Sequence, residues 1–281
     1  VAVDSSDIIY VTGDTYGGLD NNTNAGSNDF FLAKYNSSGT YQWTQQLGTS
    51  SGDIGYGVAV DSSDNIYVTG STYGGLDNNT NAGSGDIFLV KYNDNGTKQW
   101  TQQLGASSLY VVPNDYATGV ATDSSNNVYV TGYTNGEMDG NTRTGGWDFF
   151  LVKYNDNGTK QWTRQLGSST ITGAHTHQWN TYAYGVTVDS SDNIYVTGTT
   201  SGGLDGSTIS GLDDIFLVKY NSSGIKQLTR HFGTSTSGVE DVKGVTVDSS
   251  DNIYLVGNTA GILDDNLNYG HTDIFLVKYN F

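Results

Sequence analysis

The chain contains no cysteine, one proline and one methionine in 281 residues. Without thiols there is no disulfide framework, which suits a cytosolic protein or a bacterial exported one that manages without bridges. Positive charge is also scarce, with 12 Lys and Arg against 29 Asp and Glu, for a net charge of −17. A surface of that sign repels phosphate backbones and anionic lipid, so nucleic acid is excluded as a partner and membrane surfaces are poor ones. Long apolar runs are missing as well. Stretches such as "IFLV" at 87–90 fall far short of the roughly 20 residues that span a bilayer, so no membrane insertion is expected. The chain opens on Val1 with no charged segment leading into an apolar one, so any export signal is expected to have been removed or to lie outside this sequence.

What the chain has in abundance is glycine, 38 residues, and tyrosine, 20 residues, arranged in repeats. The phrase "VAVDSSDNIYVTG", with small variations, starts at Val1, Val58, Val120, Val186 and Val245, at intervals of 57, 62, 66 and 59 residues. Each copy continues through a polar loop into "DIFLVKYN", a turn "DNG" or "SSG", and "KQWTQQLG" or a variant. Five copies of one unit define a repeat protein.

Within a unit the apolar residues follow period two and are β-branched or aromatic, as strands require. In the second unit the pattern predicts strand A at 57–60, strand B at 65–71, strand C at 86–92 and strand D at 98–104, with "DSSD" and "NDNG" as tight turns. Four antiparallel strands per repeat make a β-propeller blade. Strand C is apolar on both faces and belongs between neighbouring blades; strand D alternates and belongs outside. The expected fold is therefore an all-β propeller over 1–281, with five blades and no outer strand in the last. The alternative is an excerpt of a larger propeller. The missing strand is expected from residues before Val1, from another copy or chain, or not at all.

The string "GVAVDSSDNIYVTG…TNAGSGDIFLVKYNDNGTKQWTQQLG" resembles the bacterial SBBP-type β-propeller repeat, and "TNGEMDGNTRTGGWDFFLVKYNDNGTKQWTRQLG" is similar to repeats of leptospiral proteins. The resemblance covers essentially the whole chain. It implies a secreted or cell-surface location and leaves the function open, because propellers serve many purposes.

Blade topology sends the A–B and C–D turns to one face and the B–C and D–A connections to the other. The first face is nearly uniform; the second holds the variation in length, and loops on a rigid scaffold commonly carry binding. Candidate contacts there are Tyr110, Tyr116, His175, His177, Trp179, Tyr182 and Tyr184, with a protein or glycan as the partner. Packing of the longer loops is the plainer explanation of these aromatics. The same face carries the B–C loops, each with two Asp nine residues apart. Asp20, Asn22 and Asp29, then Asp77, Asn79 and Asp86, then Asp264, Asn266 and Asp273 offer the side-chain oxygens that calcium uses. An Asx turn without any metal comes ahead of calcium at these loops. Recurrent Trp43, Trp100 and Trp162 read as packing between blades, and the "KYN" lysines as stems covering apolar surface. No nucleophile elbow, P-loop or zinc-peptidase motif occurs, and fivefold carboxylates lack the asymmetry of an active site. A non-catalytic scaffold is expected, with lectin-like sugar binding and a propeller lyase or hydrolase as alternatives.

Overall fold

The computed structural model describes residues 1–109, 111–172, 175–234, 239–263 and 270–280, with only the backbone course given for 169–172 and 175–178. Its strands form five antiparallel sheets in chain order. Blade 1 holds β1 (Ala2–Val3), β2 (Ile9–Thr15), β3 (Asp29–Tyr35) and β4 (Tyr41–Leu47). Blade 2 holds β5 (Asp53–Val60), β6 (Ile66–Thr72), β7 (Asp86–Tyr92) and β8 (Lys98–Leu104). Blade 3 is β9 (Asp115–Thr122), β10 (Val128–Thr134), β11 (Asp148–Tyr154) and β12 (Lys160–Leu166). A hairpin, β13 (Ser169–Thr172) with β14 (His175–Gln178), interrupts the passage to blade 4. Blade 4 is β15 (Thr181–Val188), β16 (Ile194–Thr200), β17 (Asp214–Tyr220) and β18 (Lys226–Phe232), and blade 5 is three-stranded: β19 (Glu240–Val247), β20 (Ile253–Thr259) and β21 (Asp273–Tyr279). The chain is thus a β-propeller of five blades whose last lacks the outer strand.

The first strand of each blade lies innermost. A side-chain carbon added at Gly57 would sit 3.3 Å from Val120 of the next blade, and one at Gly185 would sit 2.9 Å from Val245. Only glycine allows so close an approach. Each complete inner strand also carries a bulge just before this glycine, at Tyr56, Thr118, Tyr184 and Lys243, which explains why β5 extends to Asp53 although the alternation stops at Gly57.

The core is divided into four clusters, one per seam between blades. In the first seam Tyr10, Phe30 and Leu32 of blade 1 meet Ile66, Val68, Phe88 and Val90 of blade 2. Each blade therefore has a trailing face, built on the first and third residues after the strand C Asp, and a leading face, built on the second and fourth. Polar staples reinforce the seams. Lys34 Nζ donates to Asp94 O (2.8 Å), Lys91 reaches Asp156, and Lys153 Nζ donates to Ser222 O (3.1 Å), each over a strand B tyrosine ring. Trp100 donates to Asp156 O (3.2 Å) and lies against Gly158 of the next blade, so the recurrent tryptophans do pack between blades.

On the turn face, "DSSDN" is a hydrogen-bonded knot. The Asp61 carboxylate accepts from Ser63 N, Asn65 N, Asn65 Nδ2 and the Tyr67 hydroxyl at 2.8–2.9 Å. The knots also join across blades: Ser124 and Ser190 donate to Asp192 and Asp251 of the following blades.

Candidate functional site

The B–C loops satisfy themselves. Asp20, Asp77, Asp139 and Asp205 adopt left-handed conformations (φ 48–56°), and their carboxylates turn back to strand D. Asp77 pairs with Lys98 (2.5 Å), Asp139 with Lys160 (2.5 Å), Asp205 with Lys226 and Asp20 with the Tyr41 hydroxyl. The Lys98 ammonium holds the Asp77 carboxyl below the usual carboxylate range. Asn22 and Asn79 donate to Leu19 O and Leu76 O at 2.8 Å and close the turn. In blades 1 to 4 the second Asp of the pair is buried and has other partners: Asp86 Oδ2 accepts from Ala82 N and Gln103 Nε2 (both 2.9 Å), and Asp29 Oδ2 from Ala25 N (2.8 Å) and Gln46 Nε2 (3.0 Å). The nine-residue pairs are therefore divided between two sets of partners. Among the described residues no group of three or more His, Cys, Asp or Glu converges as a metal site. Asp264 and Asn266 lie outside the described residues; Asp273 opens β21.

Between blades, the buried Asp53 and Asp115 of the next inner strands feel the charge of the buried Asp29 and Asp86, and Asp214 and Glu240 are both buried at the fourth seam. A short parallel bridge, Gly85 to Asn114, sets Asp86 beside Asp115, and the amide of Asp115 donates to Gly85 O at 2.8 Å. One oxygen each of Asp29, Asp53, Asp86 and Asp115 is buried without a hydrogen-bond partner. Burial pushes the Asp115 carboxyl up to about 7, with Asp86 adding to the rise and the Thr134 hydroxyl and Ala106 amide opposing it. The third seam has Thr181 in place of the acid.

The inner-strand ends near these seams form a floor that breaks the repeat symmetry. Tyr116 pairs with Tyr133 across β9 and β10. The corresponding strand A positions are Ile54, Tyr182 and Asp241, and the corresponding strand B positions are Asp14, Ser71, Thr199 and Asn258. Few other strand positions differ so much from blade to blade. Ring centroids join Tyr116 to Tyr133 (5.1 Å), Tyr133 to Trp147 (5.5 Å), Tyr133 to Tyr182 (4.9 Å), Tyr133 to Tyr184 (6.5 Å) and Trp147 to Tyr182 (6.1 Å). The Tyr73 and Tyr116 hydroxyls lie 3.1 Å apart. At one margin Lys243 lies over the Tyr184 ring (5.7 Å) and pairs with Asp241, and at the other Asp14 accepts from Asn28 (2.8 Å). Burial raises the Tyr116, Tyr133, Tyr182 and Tyr184 phenols and pushes Tyr56 up to about 12, so all are hydrogen-bond donors at neutral pH.

Of the residues predicted from sequence, Tyr116, Tyr182 and Tyr184 come together here. Trp179 instead packs against Gly202, and its carbonyl accepts from Gly146 N (2.9 Å), so it fastens one loop to another. Tyr110 and the side chains of His175 and His177 lie outside the described residues. Tyr56, Tyr73, Tyr133 and Trp147 belong to the floor but escape the sequence reading. Their signal is the variation among five otherwise constant copies at the strand A and B ends.

Fold and face together define a β-propeller with an aromatic floor at one end of its inner strands. The SBBP beta-propeller repeat matches residues 42–77, 99–137, 161–205 and 225–264, more than half of the chain. The chain belongs to that family. It is 27% identical over 242 residues to an uncharacterized WD repeat-containing protein of Acanthamoeba polyphaga mimivirus, covering 79% of this chain. It is 28% identical over 159 residues to the regulatory protein FlaEY of Caulobacter vibrioides, covering 51% of this chain. The matched region spans only 16% of the length of either relative. Similar solved structures include a GH43 endo-arabinanase from Bacillus licheniformis (11% identity, TM-score 0.45, 99% of this chain and 92% of that one) and the native Bacillus subtilis arabinanase (13%, 0.44, 99% and 92%). Both of these similar structures are enzymes, and the expectation of a non-catalytic protein does not stand: a propeller lends itself to many functions, and the absence of a few motifs excludes none of them.

Proposed function

We propose that the protein binds a glycan at the tyrosine and tryptophan floor on the face of the B–C and D–A connections. The observation that carries this reading is the break in repeat symmetry: Tyr56, Tyr73, Tyr116, Tyr133, Trp147, Tyr182 and Tyr184 gather around blades 2 to 4, at positions that elsewhere in the repeat vary among residues such as Asp14, Ile54, Ser71, Asp241 and Asn258. Sugar rings present C–H faces to aromatic rings and hydroxyls to phenols and carboxylates, and the floor offers both, with Asp14, Asp213 and Asp241 nearby. The net charge of −17 favours neutral or cationic glycans over acidic ones. We take the protein to work outside the cell or at its surface; the family resemblance supports this, together with a cysteine-free, acidic composition.

A glycan array followed by calorimetry tests the reading. Tyr133→Ala and Trp147→Ala are each expected to weaken binding at least about tenfold, a loss of roughly 1.4 kcal/mol, while Trp179→Phe leaves it unchanged. An array with no binding by folded protein sinks it. Release of reducing ends that depends on Asp213 or Asp241 would make the same floor a catalytic cleft.

A further inference from the structure

The repeat positions that supply the rings of the floor supply its charges as well. The residue before the strand C Asp is Trp147 in blade 3 and Asp213 in blade 4. Both stand in a short parallel bridge to the next blade, Trp147 to Asn180 and Asp213 to Val239, and their carbonyls accept from Thr181 N (2.8 Å) and Glu240 N (3.2 Å). The strand A position is Tyr116 in blade 3, Tyr182 in blade 4 and Asp241 in blade 5. The strand B position is Tyr133 in blade 3 and Asp14 in blade 1. At each of these three places an aromatic ring in one blade gives way to a carboxylate in another, so the rings are flanked by acids held in the same backbone frame.

The acids are not equally occupied. Asp241 pairs with Lys243, whose ammonium also lies over the Tyr184 ring at 5.7 Å, so the protein itself sets one ammonium between a floor ring and a floor carboxylate. Asp213 has no such counterpart. It is half-buried, Tyr182 and Tyr184 both feel its charge, and among the described residues no ion pair or hydrogen bond reaches its carboxylate. Burial raises that carboxyl, with Asp241 and Asp214 adding to the rise. A carboxylate in this position is stabilised by a cation brought to it. Asp14, at the Tyr56 end, accepts from the neutral Asn28 amide (2.8 Å) and likewise forms no ion pair among the described residues.

We infer that the glycan taken by the floor is an amino sugar polymer with free amino groups, one of whose ammonium groups pairs with Asp213 while its sugar rings lie on the neighbouring aromatic side chains. This rests on the glycan reading above and adds the class of glycan. An unacetylated hexosamine joins the two chemistries the floor holds side by side: a C–H face for the rings, and a charged donor of three N–H bonds for the carboxylate. The ammonium is also drawn to the faces of the same rings, as Lys243 is to Tyr184. A neutral glycan leaves Asp213 uncompensated, and an acidic one meets repulsion from it and from the net charge of −17. Because such a polymer carries an amine on every unit, Asp14 offers a second carboxylate to the same chain.

The test is calorimetry at about pH 6, where amines are charged and ordinary carboxylates ionised, with β-1,4-linked hexamers of glucosamine, of N-acetylglucosamine and of glucose. The glucosamine hexamer is expected to bind at least about tenfold more tightly than the other two, and its binding to weaken with added salt. Asp213→Asn keeps the shape of the side chain and is expected to remove this preference while leaving the two neutral hexamers unchanged. Asp94→Asn, exposed in the C–D turn on the opposite face, removes the same charge and is expected to change nothing. Circular dichroism confirms that both variants are folded. Equal binding of the three hexamers, or a preference that survives Asp213→Asn, overturns the inference and leaves the glycan reading standing. Hexalysine bound as tightly as the glucosamine hexamer overturns it as well, since the floor is then a general cation site. So does the absence of binding by all three hexamers, in which case the glycan array decides separately whether another glycan is bound.

Discussion

Asp115 has no exposed surface and stands beside Asp86, each with one oxygen unpartnered. Burial disfavours the charged Asp115 carboxylate and the nearby Asp86 adds to the effect, which raises Asp115 from 3.8 to about 7. The folded state then holds a proton that the unfolded chain has released, so native protein binds more protons than unfolded protein between those two values. Stability is expected to be fully present near pH 4, to fall as pH rises toward 7, and to be flat above it. A displacement of that size corresponds to roughly 4 kcal/mol. Asp115→Asn removes the titration while keeping an oxygen for the Ala106 amide, which now donates at 2.7 Å. The variant is expected to lose this slope and to be more stable than wild type at pH 8. Urea denaturation at pH 5 and pH 8 decides the matter, and an unchanged slope in Asp115→Asn sinks the assignment of this titration to Asp115.

At the scale of the element, the "DSSDN" knot shows how a short turn is over-determined. Asp123 accepts from Ser125 N, Asn127 N, Asn127 Nδ2 and the buried Tyr129 hydroxyl at 2.8–3.0 Å, and Lys153 approaches to 3.7 Å. Removing the carboxylate strands a phenol inside the third seam and frees the turn. Asp123→Ala is expected to cost at least about 3 kcal/mol, at 1–3 kcal/mol for each buried donor left unmade. A denaturant midpoint within experimental reach of wild type would refute that role. These knots, the strands and the blade count were legible in the sequence because each depends on residues adjacent in the chain and repeated five times. The bulges at Tyr56, Thr118, Tyr184 and Lys243 were not, since one extra residue breaks the period-two alternation that marks a strand. The aromatic floor was half legible. Tyr182 and Tyr184 flank a long connection and draw notice, whereas Tyr133 and Trp147 sit in apparently ordinary strand and loop text. They become neighbours of Tyr182 only through packing across the third seam. The partition of Asp77 and Asp86 between Lys98 and Gln103 was hidden for the same reason: spacing along a loop does not say which way its carboxylates turn.

Across the whole molecule, stability is close to a sum of blades and seams, because each blade touches chiefly its neighbours. Blades 2, 3 and 4 have both faces covered, whereas blade 5 has three strands, one covered face and an exposed strand edge at β21. Its amides are therefore held by fewer contacts, and opening it exposes one seam where opening blade 3 exposes two. Hydrogen exchange followed by mass spectrometry is expected to show protection falling from β10 and β11 to β20 and β21. If the whole chain exchanges uniformly, the blades unfold as one cooperative unit and the additive picture fails.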